Sequence, residues 1–500
     1  MSGHTRTFPM LHFRRLFAFF TALGLLALGA HAQTEAMPAA REKLTLDEAI
    51  RRAVAKNFTI QSDAFEVSIA RGRVLEELGL FDPQLTGTYS YGEDEIAPTT
   101  NRSEAESFEL ALGGTMPWGL TYSLGAEQAK SRGTAFAESY DTFAGLSARQ
   151  PLLRGFGFGA TTAQIRIAQT NRAISEWAFR QSIIDTVTRV TFAYYELNFA
   201  HANLRSALRS RELAAQLLSE NEKRFRVGAM SEFDVTSARS RLANREESIL
   251  NAERLVREAE NTLKALISDE RSPRLLDWHL DIEPMTTLPV TVADAALDFK
   301  EALQKRPDYQ QAQLGVKRSD INFRYQRNQI LPRVDLVGSY GYSGLDGNDR
   351  VARRMVRNED YRSYSYGVQV TVPLTFTSER GRYRVAKNQL RQAEVDLQQL
   401  EQSIVVAVGN AAANIETTRK RVEAARIARE LGQQALDAEQ KRLRAGTGST
   451  FFVVQQQEIL AALEVAELRA ESDYRRAVAE YDRQLGVTLE KLNIEVALPK

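Results

Sequence analysis

The chain has 500 residues, of which 43% are hydrophobic, 26% are charged and none is cysteine. This hydrophobic share supports a large folded core, and the lack of cysteine excludes disulfides, thiolate metal sites and a cysteine nucleophile. Residues 1–32 predict a signal peptide, because Arg14 and Arg15 precede the apolar run 16–29 and the small-x-small site 30–32. A retained N-terminal anchor is the alternative interpretation of this segment.

Removal of residues 1–32 lowers the basic residues from 65 to 62, against 64 acidic residues. A chain whose basic and acidic residues are so nearly equal in number lacks the excess of positive charge that is typical of nucleic-acid-binding proteins. No later apolar run reaches the roughly 20 residues of a membrane helix. An exported chain of this kind is periplasmic, secreted or an outer-membrane β-barrel protein.

Two stretches of the chain are diverged copies of one unit. Residues 46–85 align with 295–334 at an offset of 249, and in both copies two helices end at a proline, Pro83 or Pro332. Later in each copy, 224–228 aligns with 442–446 at an offset of 218.

A third alignment places the copies' strand regions. Residues 150–152 match 372–374 at an offset of 222, so the first copy has about 27 extra residues between Pro83 and Pro151. Those residues fit a hairpin that turns at 117–119. This hairpin could add two strands, fold over the outside, or lengthen the existing pair.

Period-two alternation predicts strands, in which 84–93 pairs with 139–150 and 334–343 pairs with 362–372. Two proline-free segments with apolar residues spaced by three and four predict helices of about 65 residues, roughly 100 Å long. In Asp346-Gly347-Asn348-Asp349 we expect a turn between strands rather than a calcium loop, because the later glutamate of such a loop is missing.

These patterns predict the following domain layout. It comprises a signal peptide at 1–32, a first repeat at 33–267, a linker without helical period at 268–292, a second repeat at 293–487 and a C-terminal tail at 488–500. Strands are expected at about 84–150 and 334–373, and long helices at about 160–226, 231–267, 381–444 and 449–485.

Two strand pairs per chain are too few to close a barrel, and open sheet edges are not tolerated in lipid. If the strands span a membrane, several chains must therefore pool them, and the helices continue the cylinder. The fold class is then mainly α with a membrane β-barrel portion, internally duplicated, with long coiled-coil helices.

The duplicated unit, the Gln150-Pro151-Leu152 junction and the Arg-x-x-x-Gly-x-x-Ser turns resemble the TolC-type outer-membrane efflux proteins. The resemblance covers essentially the whole chain after residue 32. It implies a homotrimer with one shared transmembrane β-barrel and a periplasmic α-barrel. It also implies a passive exit duct for drugs, other small molecules or secreted protein, as in type I secretion, with a periplasmic adaptor and an inner-membrane pump as partners.

The resemblance also points to residues at the helix tips. Adaptor docking is expected at Val227, Gly228 and Ala229 in the first copy and at Ala445, Gly446 and Thr447 in the second. The matching periplasmic gate positions are Asp234, Phe452 and Gln455. Asp234 as a simple helix N-terminal charge, and the glycines as simple helix caps, remain open alternatives.

No catalytic constellation or cofactor motif is evident, and only His201 and His279 remain after residue 32, so we expect no enzyme, no cofactor and no metal site. The rival hypothesis is a soluble periplasmic coiled-coil scaffold or adaptor. The sequence does not identify the cargo.

Overall fold

The computed structural model describes residues 43–96, 101–134, 137–284, 288–289 and 295–496. The expected signal peptide lies outside these residues. The helices are α1 (Leu46–Lys56), α2 (Phe58–Leu78), α3 (Phe158–Thr161), α4 (Ala163–Arg226), α5 (Glu232–Ile267), α6 (Arg274–Asp277), α7 (Ala295–Lys305), α8 (Pro307–Gln329), α9 (Asp349–Arg357), α10 (Thr377–Arg444), α11 (Thr450–Leu485) and α12 (Thr488–Lys491). The strands are β1 (Lys43–Leu44), β2 (Gln84–Ile96), β3 (Asn101–Thr115), β4 (Thr121–Gly133), β5 (Ser139–Pro151), β6 (Asp281–Ile282), β7 (Arg333–Asp346) and β8 (Arg362–Thr371).

Four long helices form two antiparallel hairpins, α4 with α5 and α10 with α11. The prediction of two helices of about 65 residues is confirmed, because α4 has 64 residues and α10 has 68. The apolar spacing correctly identified the buried face of α4, where Ile183, Val187, Val190, Tyr194 and Leu197 are all buried.

The helices pack side by side as a layer that is four helices wide. Near the sheet the order is α2, α4, α8 and α10, and toward the hairpin tips it is α5, α4, α11 and α10. The outermost helices leave apolar side chains exposed on both edges. On one edge these are Phe65, Ile69 and Leu75 of α2, and on the other they are Val385, Val395, Val406, Ile427 and Leu431 of α10.

A small parallel sheet of β1 and β6 ties the start of the first copy to the segment between the copies. The buried Tyr194 hydroxyl on α4 donates to the carbonyls of Leu44 and Glu283, at 3.1 and 3.3 Å. Burial raises the pKa of Tyr194 to about 12, so the hydroxyl remains a donor at physiological pH. The segment between the copies, which was expected to be a linker without helical period, also contains the single turn α6 of four residues.

The main sheet is antiparallel and has six strands in the order β2-β3-β4-β5-β7-β8. The predicted pairing of 334–343 with 362–372 is confirmed by β7 and β8. The predicted pairing of 84–93 with 139–150 was wrong, because the β3–β4 hairpin lies between β2 and β5. The extra residues of the first copy therefore add two strands to the sheet.

The turn expected at 346–349 leads into a helix that the sequence analysis did not predict. Asn348 caps α9, a nine-residue helix that packs on β7 and β5 before the chain returns as β8. The sheet thus has a helix end, where α2, α4, α8 and α10 join it, and a loop end, where α9 lies. Among the described helices, none is both long enough and apolar enough to cross a membrane.

Candidate functional site: a two-faced sheet and two helical tips

One face of the six-stranded sheet is apolar, and we call it the apolar face. Because directly opposed residues of antiparallel strands point to the same side, the register defines rows across the sheet. One row of the apolar face runs through Leu85, Leu112, Leu124, Leu146, Tyr340 and Tyr364. All six of these side chains are exposed. An exposed apolar surface of this size marks contact with a membrane or a partner.

The opposite face is polar and small, and we call it the polar face. One row of this face runs through Gln84, Gly113, Ser123, Ser147, Ser339 and Ser365. Each of these residues is next in sequence to a residue of the row described for the apolar face. Ser339 and Ser365 hydrogen-bond to each other at 2.8 Å. On the same face, Glu109 of β3 lies directly opposite Glu127 of β4, and both are exposed. Two like charges in direct opposition are unfavourable unless water surrounds them, so this face fits the wall of an aqueous channel.

Tyrosines of the strands lie on the apolar face. Tyrosines in strands can form a membrane-interface girdle or can merely reflect strand propensity. The register puts on this one face Tyr89, Tyr91, Tyr340, Tyr342, Tyr364 and Tyr366. Strand propensity alone does not select a face, so their common placement favours the girdle.

The two helical tips have the same backbone geometry. At the first, Gly228 has φ of +75° and donates to Phe225 O at 2.9 Å, and Ala229 donates to Arg224 O at 2.9 Å. At the second, Gly446 has φ of +76°, donates to Leu443 O at 3.2 Å, and is followed by a Thr447 to Arg442 bond of 3.1 Å. Both are Schellman motifs, in which glycine is favoured because a side chain is strained at positive φ.

The candidate docking residues are accessible at both tips. Val227 is 78% exposed, and Gly228, Ala229, Ala445, Gly446 and Thr447 are all exposed. The tips lie at the same end of the molecule, since Arg241 of α5 pairs with Glu458 of α11 at 2.8 Å about ten residues after each turn. The structure thus brings these six residues to one end of the helix layer.

The gate candidates Asp234 and Phe452 occupy equivalent positions, the third residue of α5 and of α11. Asp234 completes a capping box, because its carboxylate accepts from the Ser231 backbone N–H at 3.4 Å while its own N–H donates to Ser231 Oγ at 3.3 Å. The carboxylate therefore lies at the N-terminus of α5, where the helix-charge interpretation expects it. Phe452 has no such role, since Ser449 caps α11 through the Phe451 N–H. Phe452 and Gln455 are exposed.

Two further tip residues, which lie five residues after the tip glycines at the same offset of 218, received no role from the sequence. Phe233 and Phe451 each follow the first residue of their helix, and they are 79% and 59% exposed. Phe451 and Phe452 form an edge-to-face pair with ring centroids 5.6 Å apart. Exposed phenylalanines at matched positions of both copies indicate an apolar surface at the tips.

Among the described residues, no group of three or more histidines, aspartates and glutamates is arranged to hold a metal ion. The features of the structure are two sheet faces of opposite polarity and two glycine-capped tips.

The sequence model of the outer membrane efflux protein family matches residues 49–268 and 299–487. Outer membrane efflux protein BepC of Brucella suis is 27% identical over 387 residues, which cover 73% of this chain and 77% of that protein. Outer membrane protein OprJ of Pseudomonas aeruginosa is 24% identical over 66% of this chain and 67% of its own.

Solved structures share the fold. The outer-membrane channel OprN aligns with a TM-score of 0.69 at 19% identity over 88% of this chain and 89% of its own. The CmeC outer membrane channel of Campylobacter jejuni aligns at 0.68 and 15% identity over 89% of this chain and 86% of its own. The rival scaffold hypothesis is not supported, and the chain belongs to the outer membrane efflux protein family, whose members are outer-membrane efflux channels.

Proposed function

We propose that three copies of this chain assemble into a passive exit duct across the outer membrane. The unpaired edges support this proposal. The sheet ends at β2 and β8, whose outer backbone groups have no strand partner among the described residues. Open edges are not tolerated in lipid, so they must pair with other copies.

The helix layer supports the same assembly. Its edge helices α2 and α10 expose apolar side chains that a neighbouring copy would cover. Three sheets of six strands give a barrel of 18 strands, and barrels of this size enclose an aqueous channel. In this arrangement the apolar face contacts lipid and the polar face lines the channel.

In the proposed assembly, the tips dock a periplasmic adaptor that connects the duct to an inner-membrane pump. The docking residues are Val227, Gly228, Ala229, Ala445, Gly446 and Thr447. The cargo is a small molecule, such as a drug or toxic compound, or a secreted protein. No step of this transport requires catalysis or a cofactor from the chain.

The gate at the tips combines different chemistries from the two copies. Three Asp234 carboxylates form a ring that attracts cations, in addition to capping α5. Three Phe452 rings close the tip by apolar contact, and Gln455 contributes a neutral polar ring. The exposure of Phe452 and its edge-to-face contact with Phe451 support this role.

Native mass spectrometry of the detergent-purified protein tests the assembly, with a mass of three chains as the expected result. Val395 and Val406 lie on one exposed face of α10, eleven residues apart. The V395D/V406D variant should shift the population to monomer, whereas the matched V395L/V406L variant keeps the apolar surface and should remain trimeric. A monomeric wild-type protein that still conducts in planar bilayers would contradict the proposal.

A further inference from the structure

Helix α9, at the loop end of the sheet, divides into an apolar side and an arginine side. At 100° per residue, its apolar residues occupy one arc and its four arginines occupy the opposite arc. The apolar residues are Val351, Ala352, Met355 and Val356, and the arginines are Arg350, Arg353, Arg354 and Arg357. All four arginines are exposed. The helix therefore presents its positive charge directly away from the surface on which it packs.

The surface beneath α9 is the apolar face of the sheet. A side chain at Gly344 would collide with the backbone of Ala352 and with Met355, so the glycine permits close packing of helix and strand. Asp349 accepts a hydrogen bond from Gln128 of β4 at 2.7 Å. The register places Gly344, Gln128 and Phe108 in one row with Tyr89, all on the apolar face.

Helix α9 lies at the point along the strands where the apolar face gives way to polar residues, which is where a membrane interface is expected. Toward the helix end, the apolar face is dominated by leucines, valines and tyrosines. One row beyond Phe108 and Gln128 toward the loop end, it becomes polar, with Glu106 opposite Lys130. Because the long helices leave the sheet at the other end, on the periplasmic side, the loop end faces the outer leaflet. An amphipathic helix with a basic outer side is typical of binding in the headgroup region.

The positive charge of α9 is largely uncompensated. Within the described part of the chain, only Arg353 of the four arginines has an ion-pair partner, the adjacent Asp349. Arg350, Arg354 and Arg357 recur at intervals of four and three, so they form one stripe along the helix. The acids that follow, Glu359 and Asp360, form no ion pair with this stripe. Guanidinium groups bind phosphate with two parallel hydrogen bonds.

We propose that α9 is a lipid-binding helix, whose arginines bind the phosphate groups of anionic lipids in the outer leaflet. This inference rests on the proposed function in one respect, that the apolar face of the sheet contacts lipid. The partner is a phosphorylated lipid headgroup, because only a lipid brings phosphates to the side of the sheet that contacts acyl chains. The helix would anchor the barrel at a fixed depth.

The test is a titration of the detergent-solubilised, assembled protein with lipid A that carries two phosphates. The R350Q/R354Q/R357Q variant removes the unpaired stripe and leaves the Arg353–Asp349 pair intact. Because each arginine beside an anionic lipid surface strengthens binding about fivefold, we expect the dissociation constant of this variant to rise about 100-fold. The matched control, R257Q/R391Q/R419Q, neutralises three exposed arginines of α5 and α10 and should bind as tightly as wild type.

Two further ligands establish the source of the phosphate. Lipid A stripped of its phosphates should bind weakly to all three proteins, and inorganic phosphate at the same concentration should not displace intact lipid A. Equal affinity of the wild-type protein and the stripe variant, or effective displacement by inorganic phosphate, would overturn the proposal. A change in the oligomeric mass of the stripe variant would also overturn it, since α9 would then contact a second copy of the chain.

Conductance of the same preparations in planar bilayers separates this inference from the proposed function. If the wild type and the stripe variant conduct alike while only the variant loses lipid A, both proposals are supported. If both conduct but lipid A binding is unchanged, only the role of α9 fails. If the wild type does not conduct, the duct itself fails.

Discussion

The two copies of the repeat differ far more in their strands and cores than in their tips. Helices α5 and α11 both have 36 residues and both follow a Schellman turn with glycine at φ near +75°. The strand regions differ, because the first copy contributes four strands to the main sheet and the second contributes two. A helical layer needs matched lengths, whereas an antiparallel sheet accepts a hairpin inserted between two of its strands, because the new pairs are again antiparallel.

The largest expected effect is a narrower barrel, which should result when the strand region of the first copy is made to resemble that of the second. Deletion of residues 101–133 removes β3, its turn and β4, and joins two positions at the loop end of the sheet. Strand β2 then lies antiparallel to β5, as the alternation of the sequence predicts for an uninterrupted pair. Three sheets of four strands give a barrel of 12 strands, with a diameter about two thirds of the original.

Electron microscopy of the purified assembly measures that diameter. Deletion of 351–357 within α9, which removes no strand, is the control and should leave the barrel width unchanged. An unaltered width in the hairpin deletion would show that β3 and β4 do not belong to the barrel wall.

The second comparison concerns a buried ion pair. In α5, Glu260 and Lys264 are 6% and 1% exposed, lie 3.5 Å apart, and Glu260 also accepts from the Leu280 N–H at 2.5 Å. The equivalent of Glu260 in α11, at an offset of 218, is the buried Val478. Replacing Glu260 by valine leaves an unpaired buried lysine and should cost about 3–5 kcal/mol of unfolding free energy.

The double variant E260V/K264L removes both charges and should recover most of that loss, because it leaves no buried charge without a partner. Denaturant unfolding of the assembled protein measures both values. A single variant as stable as wild type would mean that Lys264 reaches water after the change.

The third comparison tests whether the tips are equivalent. A Cβ at Gly228 or Gly446 would meet no atom within 4 Å, so only the positive φ opposes a side chain there. Alanine should therefore cost about 1–2 kcal/mol at either tip, and asparagine, which tolerates this conformation, should cost less. Hydrogen exchange at Ala229 and Thr447 should accelerate by roughly tenfold in the respective alanine variants.

If the alanine variants of the two tips differed clearly in lost stability or in hydrogen-exchange rate, the tips would not be equivalent. Such a difference would show that one glycine meets a constraint from a neighbouring chain, which the isolated chain does not contain. Adaptor binding measured on the same variants would then separate helix capping from docking.

Much of the fold followed from local patterns, because long helices without proline and alternating strands are encoded residue by residue. The spacing of Ile183, Val187 and Val190 identified a face that is buried. The pairing of β2 was missed because strand order is a non-local property. Alternation shows that 84–93 is a strand, but it does not show which strand lies next to it.

The candidate site was predictable to a similar degree. The tip glycines were found through the alignment of the two copies and the family resemblance, and the left-handed residue that a turn between antiparallel helices favours explains them. For Asp234 the sequence offered a helix N-terminal charge as the alternative to a gate role, and the capping box with Ser231 was not anticipated. Helix α9 was missed because its arginines follow directly on a turn signal at 346–349, and nine residues are too few to establish a helical period.

The smallest expected effect comes from substitutions of Asp234 that separate its two roles, the capping of α5 and the proposed attraction of cations at the gate. Glutamine at this position can accept the hydrogen bonds of the capping box but has no charge. D234Q should therefore unfold like wild type and, if the gate contains a carboxylate ring, show weaker block by multivalent cations in planar bilayers. D234A should show the same weaker block and in addition lose about 1 kcal/mol of stability through the broken cap. If D234Q is blocked by cations like wild type, Asp234 is a helix cap alone, and the tip is closed by apolar residues such as Phe452. The two copies would then differ in how they begin a helix and share an uncharged gate.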